Sequence, residues 1–244
     1  LKRVLEPKWC LKKMENQEEQ IFTNVKSINY WVFDLDNTIY RSNTNLFLQV
    51  EKKIGTFVAN YLNIEIKDAK IIQKNFFYKY KSTLNGMISE YNINPESFLD
   101  YVHDIDYSIL KNDEKFNDLL SKLPGNKYIY TNGSTKHALN VLESLGITEQ
   151  FSGIFDIQNA KYKPKPDLET MKTFLEKFSI KPSNALMAED MPINLKPAHT
   201  LGLKTLLIET EYNWQKEKNL NYIDFKSDDL QKWLKKIINN VFDK

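Results

Sequence analysis

The chain has 244 residues, of which 41% are hydrophobic and 27% charged, a composition that supplies one large domain, or a core domain with a smaller insert. The formal net charge of +2 excludes a chain that binds nucleic acid or membranes over its whole surface. The single cysteine, Cys10, excludes an internal disulfide and favours a reducing compartment.

No apolar run approaches the roughly 18 to 20 residues of a membrane-spanning helix. Residues 1–20 are interrupted throughout by Lys and Glu, unlike the apolar region of a signal peptide. These two features predict a cytoplasmic protein without a membrane partner.

Short apolar runs alternate with helical patterns along most of the chain, which favours an α/β domain with a mostly parallel sheet. The predicted strands cover residues 30–33, 127–130, 153–157, 185–188 and 204–208. Residues 135–145 are predicted to be a helix, because Ala138, Val141, Leu142 and Leu145 share one face and Gly146 stands at the expected stop.

Residues from 46 to about 110 break this alternation, since helical patterns follow one another there without a strand. One apolar stripe runs from Leu46 to Tyr61, and Asn94 with Pro95 is typical of a helix start. We therefore predict an all-helical insert after the first strand. Residues 227–229 are predicted to open a C-terminal helix whose apolar residues run from Leu230 to Val241.

Two carboxylates follow the first predicted strand, because the run FDLDNT places Asp34 and Asp36 directly after it. In open α/β sheets, ligands bind outside the carboxyl ends of the strands. Two carboxylates at that edge repel each other unless a cation neutralises them, and Mg²⁺ prefers such oxygen ligands. The alternative interpretation of the run is an ordinary turn, since Asp-Asn-Thr is good turn chemistry.

Three further segments bring polar groups to strand ends or to a nearby loop. The run TNGS places Thr131 and Asn132 before a helix N-terminus, a ready anion site, although simple helix capping is the alternative. The run AED places Asp190 after a later strand, as a metal ligand or another helix cap. The segment KYKPKPD supplies Lys163 or Lys165, unless it is a solvated basic loop.

In this order, the fragments DLDNT, TNG, KP and ED resemble the haloacid dehalogenase superfamily of aspartate-nucleophile phosphatases, over residues 34–194. The runs WVFDLDNTIY, YVHDID and EDMPINL resemble its pyrimidine 5′-nucleotidase subgroup. The resemblance implies a Rossmann-like parallel-sheet core at residues 28–44 and 115–244, with an inserted all-helical cap at 45–114. Residues 1–27 would form an N-terminal extension.

The resemblance also implies roles for the candidate site residues. Asp34 would be the nucleophile that forms a phosphoaspartate, and Asp36 the acid and base of the two half-reactions. Thr131, Asn132 and the lysine would bind the phosphoryl oxygens. Asp34, Asp190 and the main-chain carbonyl of Asp36 would hold Mg²⁺.

The lysine is ambiguous, since Lys163 and Lys165 both precede a proline. In the family pattern an apolar or aromatic residue follows the active lysine by six positions. Met171 stands there for Lys165 but Glu169 for Lys163, so we choose Lys165. Glu189 replaces the Gly of many members, and we expect it to support the metal from outside the ligand set.

By the same resemblance the cap excludes water and sets specificity. Its polar or aromatic candidates for a leaving-group contact are Arg41, Asn43, Tyr78, Tyr80, Thr83, Asn85 and His103. We expect most of them to be surface or packing residues, and a lone histidine such as His103 to be structural.

These features predict a Mg²⁺-dependent phosphomonoesterase that acts on a small phosphorylated metabolite, with a nucleoside (pyrimidine) 5′-monophosphate favoured. A sugar-phosphate phosphatase or a phosphomutase would use the same motifs. Asp36 argues against a dehalogenase, which has no need of a second aspartate. A catalytically silent binding module is the alternative from another class. We expect a monomer or homodimer without a nucleic acid polymer as partner.

Overall fold

The computed structural model describes residues 25–211 and 219–242. The predicted N-terminal extension up to residue 24, with Cys10, lies outside them. None of the described helices combines the length and apolarity that crossing a bilayer requires.

The described strands form one parallel six-stranded sheet in the order β3-β2-β1-β4-β5-β6. They are β1 (Tyr30–Phe33), β2 (Asn126–Tyr130), β3 (Gly153–Phe155), β4 (Ala185–Glu189), β5 (Lys204–Ile208) and β6 (Phe225–Ser227). From β1 the next two strands, β2 and β3, are added on one side. The chain then crosses over, and β4 to β6 are added on the other side of β1. The switch point between β1 and β4 is therefore where a ligand crevice is expected.

The parallel α/β fold and the five predicted strands are confirmed, with the third ending at Phe155 instead of residue 157. The sequence analysis missed β6, and Ser227 belongs to this strand and not to the following helix. Three residues at a sheet edge are too few to show the alternation by which a strand is recognised.

The first four α-helices after β1 form the predicted helical insert. They are α1 (Leu46–Leu62), α2 (Ile66–Tyr80), α3 (Thr83–Tyr91) and α4 (Pro95–Val102). Asn94 caps α4 as predicted, since its Oδ1 accepts the main-chain N–H of Ser97 at 3.0 Å.

The remaining helices cover both faces of the sheet, and they are α5 (Glu114–Lys122), α6 (Thr135–Leu145), α7 (Leu168–Lys177), α8 (Leu195–Thr200) and α9 (Leu230–Ile237). Trp31 and Phe33 of β1 pack in one buried cluster with α5, α6 and α9. Val32 packs in the other, with α7 and α8. The alternation follows from the two-residue period of a strand. The C-terminal pattern continues past α9 as a π-helical turn, Ile238–Phe242.

Candidate active site

Asp34 extends β1 by one residue into the switch point. Its main-chain N–H donates to the carbonyl of Ala188 in β4 at 2.9 Å, so the ladder between the two strands continues past Phe33. Glu189 and Asp190 follow Ala188 on the neighbouring strand. The pairing of β1 with β4 therefore places three carboxylates at one edge of the sheet, all of them buried.

Lys165 is the lysine that reaches these carboxylates. Its Nζ lies 2.5 Å from Asp34 Oδ1, 2.7 Å from Glu189 Oε2 and 2.9 Å from the carbonyl oxygen of Tyr130. Its main-chain N–H donates to Asn132 Oδ1 at 2.9 Å. This bond attaches the loop of residues 161–167, called the lysine loop below, to the segment that follows β2. Lys163 is exposed, so the two lysines have different surroundings.

Asp34, Glu189 and Asp190 form a cluster with the chemistry of a metal site. One carboxylate oxygen from each lies within 4.8 Å of the others. Asp190 Oδ2 is buried without a hydrogen-bond partner, and Asp190 does not cap the turn that follows, whose N-cap is Met191. When all three carboxylates are ionised, the single ammonium leaves an excess of two negative charges. A hard divalent cation fits both the orphaned oxygen and this charge.

Burial and neighbouring charges shift the pKa values in this cluster. Burial and Glu189 raise the pKa of Asp34 to about 7, although Lys165 acts in the opposite direction. Burial, Glu189 and Asp34 raise the pKa of Asp190 well above its ordinary value. Burial would lower the pKa of Lys165, but the two carboxylates beside it outweigh burial and raise it. A bound cation would favour the ionised form of each carboxylate.

Asp36 has a different environment from Asp34. Its Oδ1 accepts hydrogen bonds from the Tyr40 hydroxyl and from His137 Nε2, the latter at 2.9 Å. Burial would raise the pKa of Asp36, but His137 and Tyr40 outweigh burial and lower it. Two neighbouring carboxylates with pKa values moved in opposite directions are typical of a site that divides nucleophilic and acid–base roles.

The loop after β2 faces the same edge. Thr131 is buried, and its Oγ1 accepts the main-chain N–H of Gly133 at 2.9 Å, so its hydroxyl proton remains available for a ligand. Ser134, and not Thr131, caps α6 by accepting the main-chain N–H of His137 at 3.2 Å. Helix capping therefore explains Ser134 but does not explain Thr131.

Of the seven cap candidates, His103 alone contacts the loop after β2 among the described residues. Its Nδ1 lies 2.9 Å from Ser134 Oγ, and its ring stacks on that of His137. Arg41 pairs with Asp229. The other five have no contact with this loop among the described hydrogen bonds. Asn43 and Tyr78 are exposed. The Tyr80 hydroxyl donates to Glu90, the Thr83 hydroxyl donates to the carbonyl of Gln73, and the main-chain N–H of Asn85 donates to Ser82 Oγ.

Sequence reasoning missed three groups that contact Asp36 or its neighbours, namely Tyr40, Tyr107 and His137. It predicted that Glu189 supports the metal from outside the ligand set, and one Glu189 carboxylate oxygen lies within 4.8 Å of oxygens of Asp34 and Asp190. His137 lies four residues before Val141 on the buried stripe of α6, a position that is typical of a structural histidine. Its hydrogen bond to Asp36 becomes visible only in the folded structure, where α6 packs near the end of β1.

The fold and the site define a class of protein: a parallel α/β sheet with a helical insert after its first strand and a buried carboxylate–lysine site at its switch point. Residues 31–208 match the family model of the haloacid dehalogenase-like hydrolases, and the chain belongs to this family.

A curated relative is Phosphate metabolism protein 8 of Saccharomyces cerevisiae, which is 27% identical over 205 residues. The match covers 76% of this chain but 63% of the yeast protein, so the chain spans less than two thirds of that relative.

Solved structures share the fold at low sequence identity. CbbY from Rhodobacter sphaeroides, in complex with xylulose-(1,5)bisphosphate, has a TM-score of 0.61 at 13% identity, covering 83% of this chain and 94% of its own. A HAD phosphatase from Thermococcus onnurineus has a TM-score of 0.57 at 17% identity, covering 88% and 100%. YfnB from Bacillus subtilis, bound to magnesium, has a TM-score of 0.57 at 16% identity, covering 86% and 98%.

Proposed function

We propose that this chain is a Mg²⁺-dependent phosphomonoesterase that hydrolyses nucleoside 5′-monophosphates, with pyrimidine nucleotides favoured, to nucleoside and phosphate. The observation that carries the proposal is that the two carboxylates after β1, Asp34 and Asp36, have different hydrogen-bond partners. Lys165 holds Oδ1 of Asp34, while Tyr40 and His137 hold Oδ1 of Asp36. Each carboxylate thereby keeps its other oxygen for the reaction.

In the first half-reaction, Oδ2 of Asp34 attacks the phosphorus atom and the bond from phosphorus to the ester oxygen breaks. Asp36 gives a proton to the departing alkoxide. The phosphate dianion beside Asp36 favours the protonated form of its carboxyl group.

In the second half-reaction, water attacks the phosphorus atom of the phosphoaspartate. Asp36, now a carboxylate, takes a proton from this water, and the bond between phosphorus and Asp34 breaks. Phosphate leaves, and both carboxylates return to their starting states.

The phosphoryl oxygens would be held by donors at the end of β2 and in the lysine loop. The Thr131 hydroxyl has its proton free, and Asn132 keeps its amide N–H groups because only its Oδ1 is used by Lys165. The Lys165 ammonium adds the positive charge.

Mg²⁺ would be held by Asp34, Asp190 and the main-chain carbonyl of Asp36, with Glu189 beside them. When bound, the ion offsets the negative charge of the cluster and of the phosphate. The orphaned Oδ2 of Asp190 supports this assignment.

The nucleotide preference is supported by the three runs that resemble the nucleotidase subgroup. The first contains Asp36 and Tyr40, the second contains His103, and the third contains Asp190. Tyr40 bonds Asp36, and His103 lies against the loop that carries Thr131. We propose that residues 45–114 act as the cap that selects the leaving group.

The test is phosphate release, with and without Mg²⁺, from pyrimidine and purine 5′-monophosphates, sugar phosphates and an aryl phosphate. Asp34→Asn is the control for the nucleophile. Metal-dependent release that is lost in this variant, with nucleotides turned over fastest, is the expected result. A preference for sugar phosphates would refute the nucleotide assignment, and an isomerised phosphate would indicate a phosphomutase. A folded protein that transforms no substrate would favour a silent binding module.

A further inference from the structure

A chain of hydrogen bonds joins Asp36 to the segment that returns from the cap to the core. Asp36 Oδ1 lies 2.9 Å from His137 Nε2, and His137 Nδ1 lies 2.9 Å from the Tyr107 hydroxyl. That hydroxyl lies 3.0 Å from the main-chain oxygen of His103, the C-cap of α4. His137 is 0% exposed, so the middle of this chain of hydrogen bonds is buried.

The returning segment also contacts the start of α6 directly. The His103 and His137 rings stack with their centroids 4.3 Å apart and an interplanar angle of 6°. Ser134 Oγ accepts the main-chain N–H of His137, so its own proton is available for His103 Nδ1, 2.9 Å away. These contacts seat the segment of His103 and Tyr107 on the first turn of α6.

The direction of the bond at Asp36 follows from the chemistry of its partners. An ionised carboxylate only accepts hydrogen bonds, so His137 Nε2 carries the hydrogen. Tyr40 donates to the same oxygen. Because both donors bind Oδ1, they restrict rotation of the carboxylate and leave Oδ2 to other partners.

We propose that His137 and Tyr107 are positioning residues that orient Asp36 for proton transfer when the returning segment of the cap is seated on α6. The inference rests on the proposed phosphomonoesterase function, because it assigns His137 and Tyr107 a role in the proton transfer by Asp36. Displacement of the segment would remove Tyr107 and the stacked ring from His137. The donor to Asp36 would then lose its fixed position, so acid–base catalysis depends on the position of the cap.

The test separates proton transfer from other steps by varying the leaving group. The ratio kcat/KM reports formation of the phosphoaspartate, in which an alkoxide needs a proton but a dinitrophenolate does not. His137→Phe keeps a ring against His103 and removes both nitrogens. His137→Gln keeps an N–H donor, and Tyr107→Phe removes one hydroxyl.

We expect His137→Phe to lower kcat/KM about 10- to 100-fold for a nucleoside monophosphate and less than about threefold for dinitrophenyl phosphate. His137→Gln should recover most of the loss, and Tyr107→Phe should show a smaller loss with the same selectivity. In an Asp36→Asn background, His137→Phe should have no further effect on the nucleotide.

Equal losses with both substrates, or no loss with either, would overturn the inference. If His137→Phe does not fold, Tyr107→Phe decides: a selective loss supports the inference and an unchanged ratio of the two substrates overturns it. A wild-type protein that turns over neither substrate would instead refute the proposed function itself.

Discussion

Lys165 Nζ lies 2.5 Å from Asp34 Oδ1, with both side chains buried at the end of β1. The same ammonium lies 2.7 Å from Glu189 Oε2 of β4. Two buried carboxylates on neighbouring strands would repel each other strongly without a cation between them. The Lys165 ammonium therefore offsets this repulsion at the ends of β1 and β4.

Lys165→Met is expected to abolish turnover and to lower the free energy of unfolding by about 3 to 5 kcal/mol, since it leaves buried charges without their partner. Lys163→Met, at an exposed position two residues away, should change stability by less than about 0.5 kcal/mol. Phosphate release and urea denaturation measure both effects. Comparable effects of the two substitutions would contradict the assignment.

Asp190→Asn is expected to weaken Mg²⁺ binding the most, because it replaces the carboxylate whose Oδ2 has no protein partner. Glu189→Gln should weaken it by about 10- to 100-fold, as expected of a group that supports the ligands. Isothermal titration calorimetry with Mg²⁺ alone gives both affinities. Glu169→Gln, at an exposed carboxylate on α7, is the matched control and should bind like the wild type.

The metal-free protein is expected to lose stability as the pH rises from about 4 toward 7. The pKa of Asp34 is raised from 3.8 to about 7, so the folded state holds a proton that the unfolded chain releases near 3.8. The resulting stabilisation is complete below the unfolded pKa and is lost as the pH passes the folded pKa. Melting temperatures in a chelator should therefore fall less steeply with pH in Asp34→Asn. Parallel pH profiles would contradict this expectation.

Asp229→Ala is expected to destabilise the protein by about 1 to 2 kcal/mol through loss of a helix cap. Its Oδ1 accepts the main-chain N–H of Lys232 at 3.0 Å at the start of α9, and its carboxylate pairs with Arg41. Asp228→Ala, which removes an exposed pair with Lys232, should change stability by less than about 0.5 kcal/mol. Thermal melts measure the difference, and phosphate release should stay near the wild-type rate in both variants.

Much of the fold was predictable because apolar residues repeat with the period of each element. The stripe from Leu46 gave α1, and Asn94 with Pro95 marked the start of α4. The edge strand β6 was not predictable, since Phe225–Ser227 is too short to show a period. The contact between Glu189 and Lys165 was not predictable, because the two residues lie 24 positions apart in the chain.

The sequence by itself determined the α/β class, the helical insert and the order of the polar runs at strand ends. Local spacing sets these features, since the pattern of a few neighbouring residues decides which face is buried. The tertiary structure alone decided which side chains meet. The crossing from β3 to β4 brings Asp190 beside Asp34, and the packing of α6 brings His137 against Asp36, 101 residues away in the chain. Contacts over such separations depend on how the elements pack, which no local pattern records.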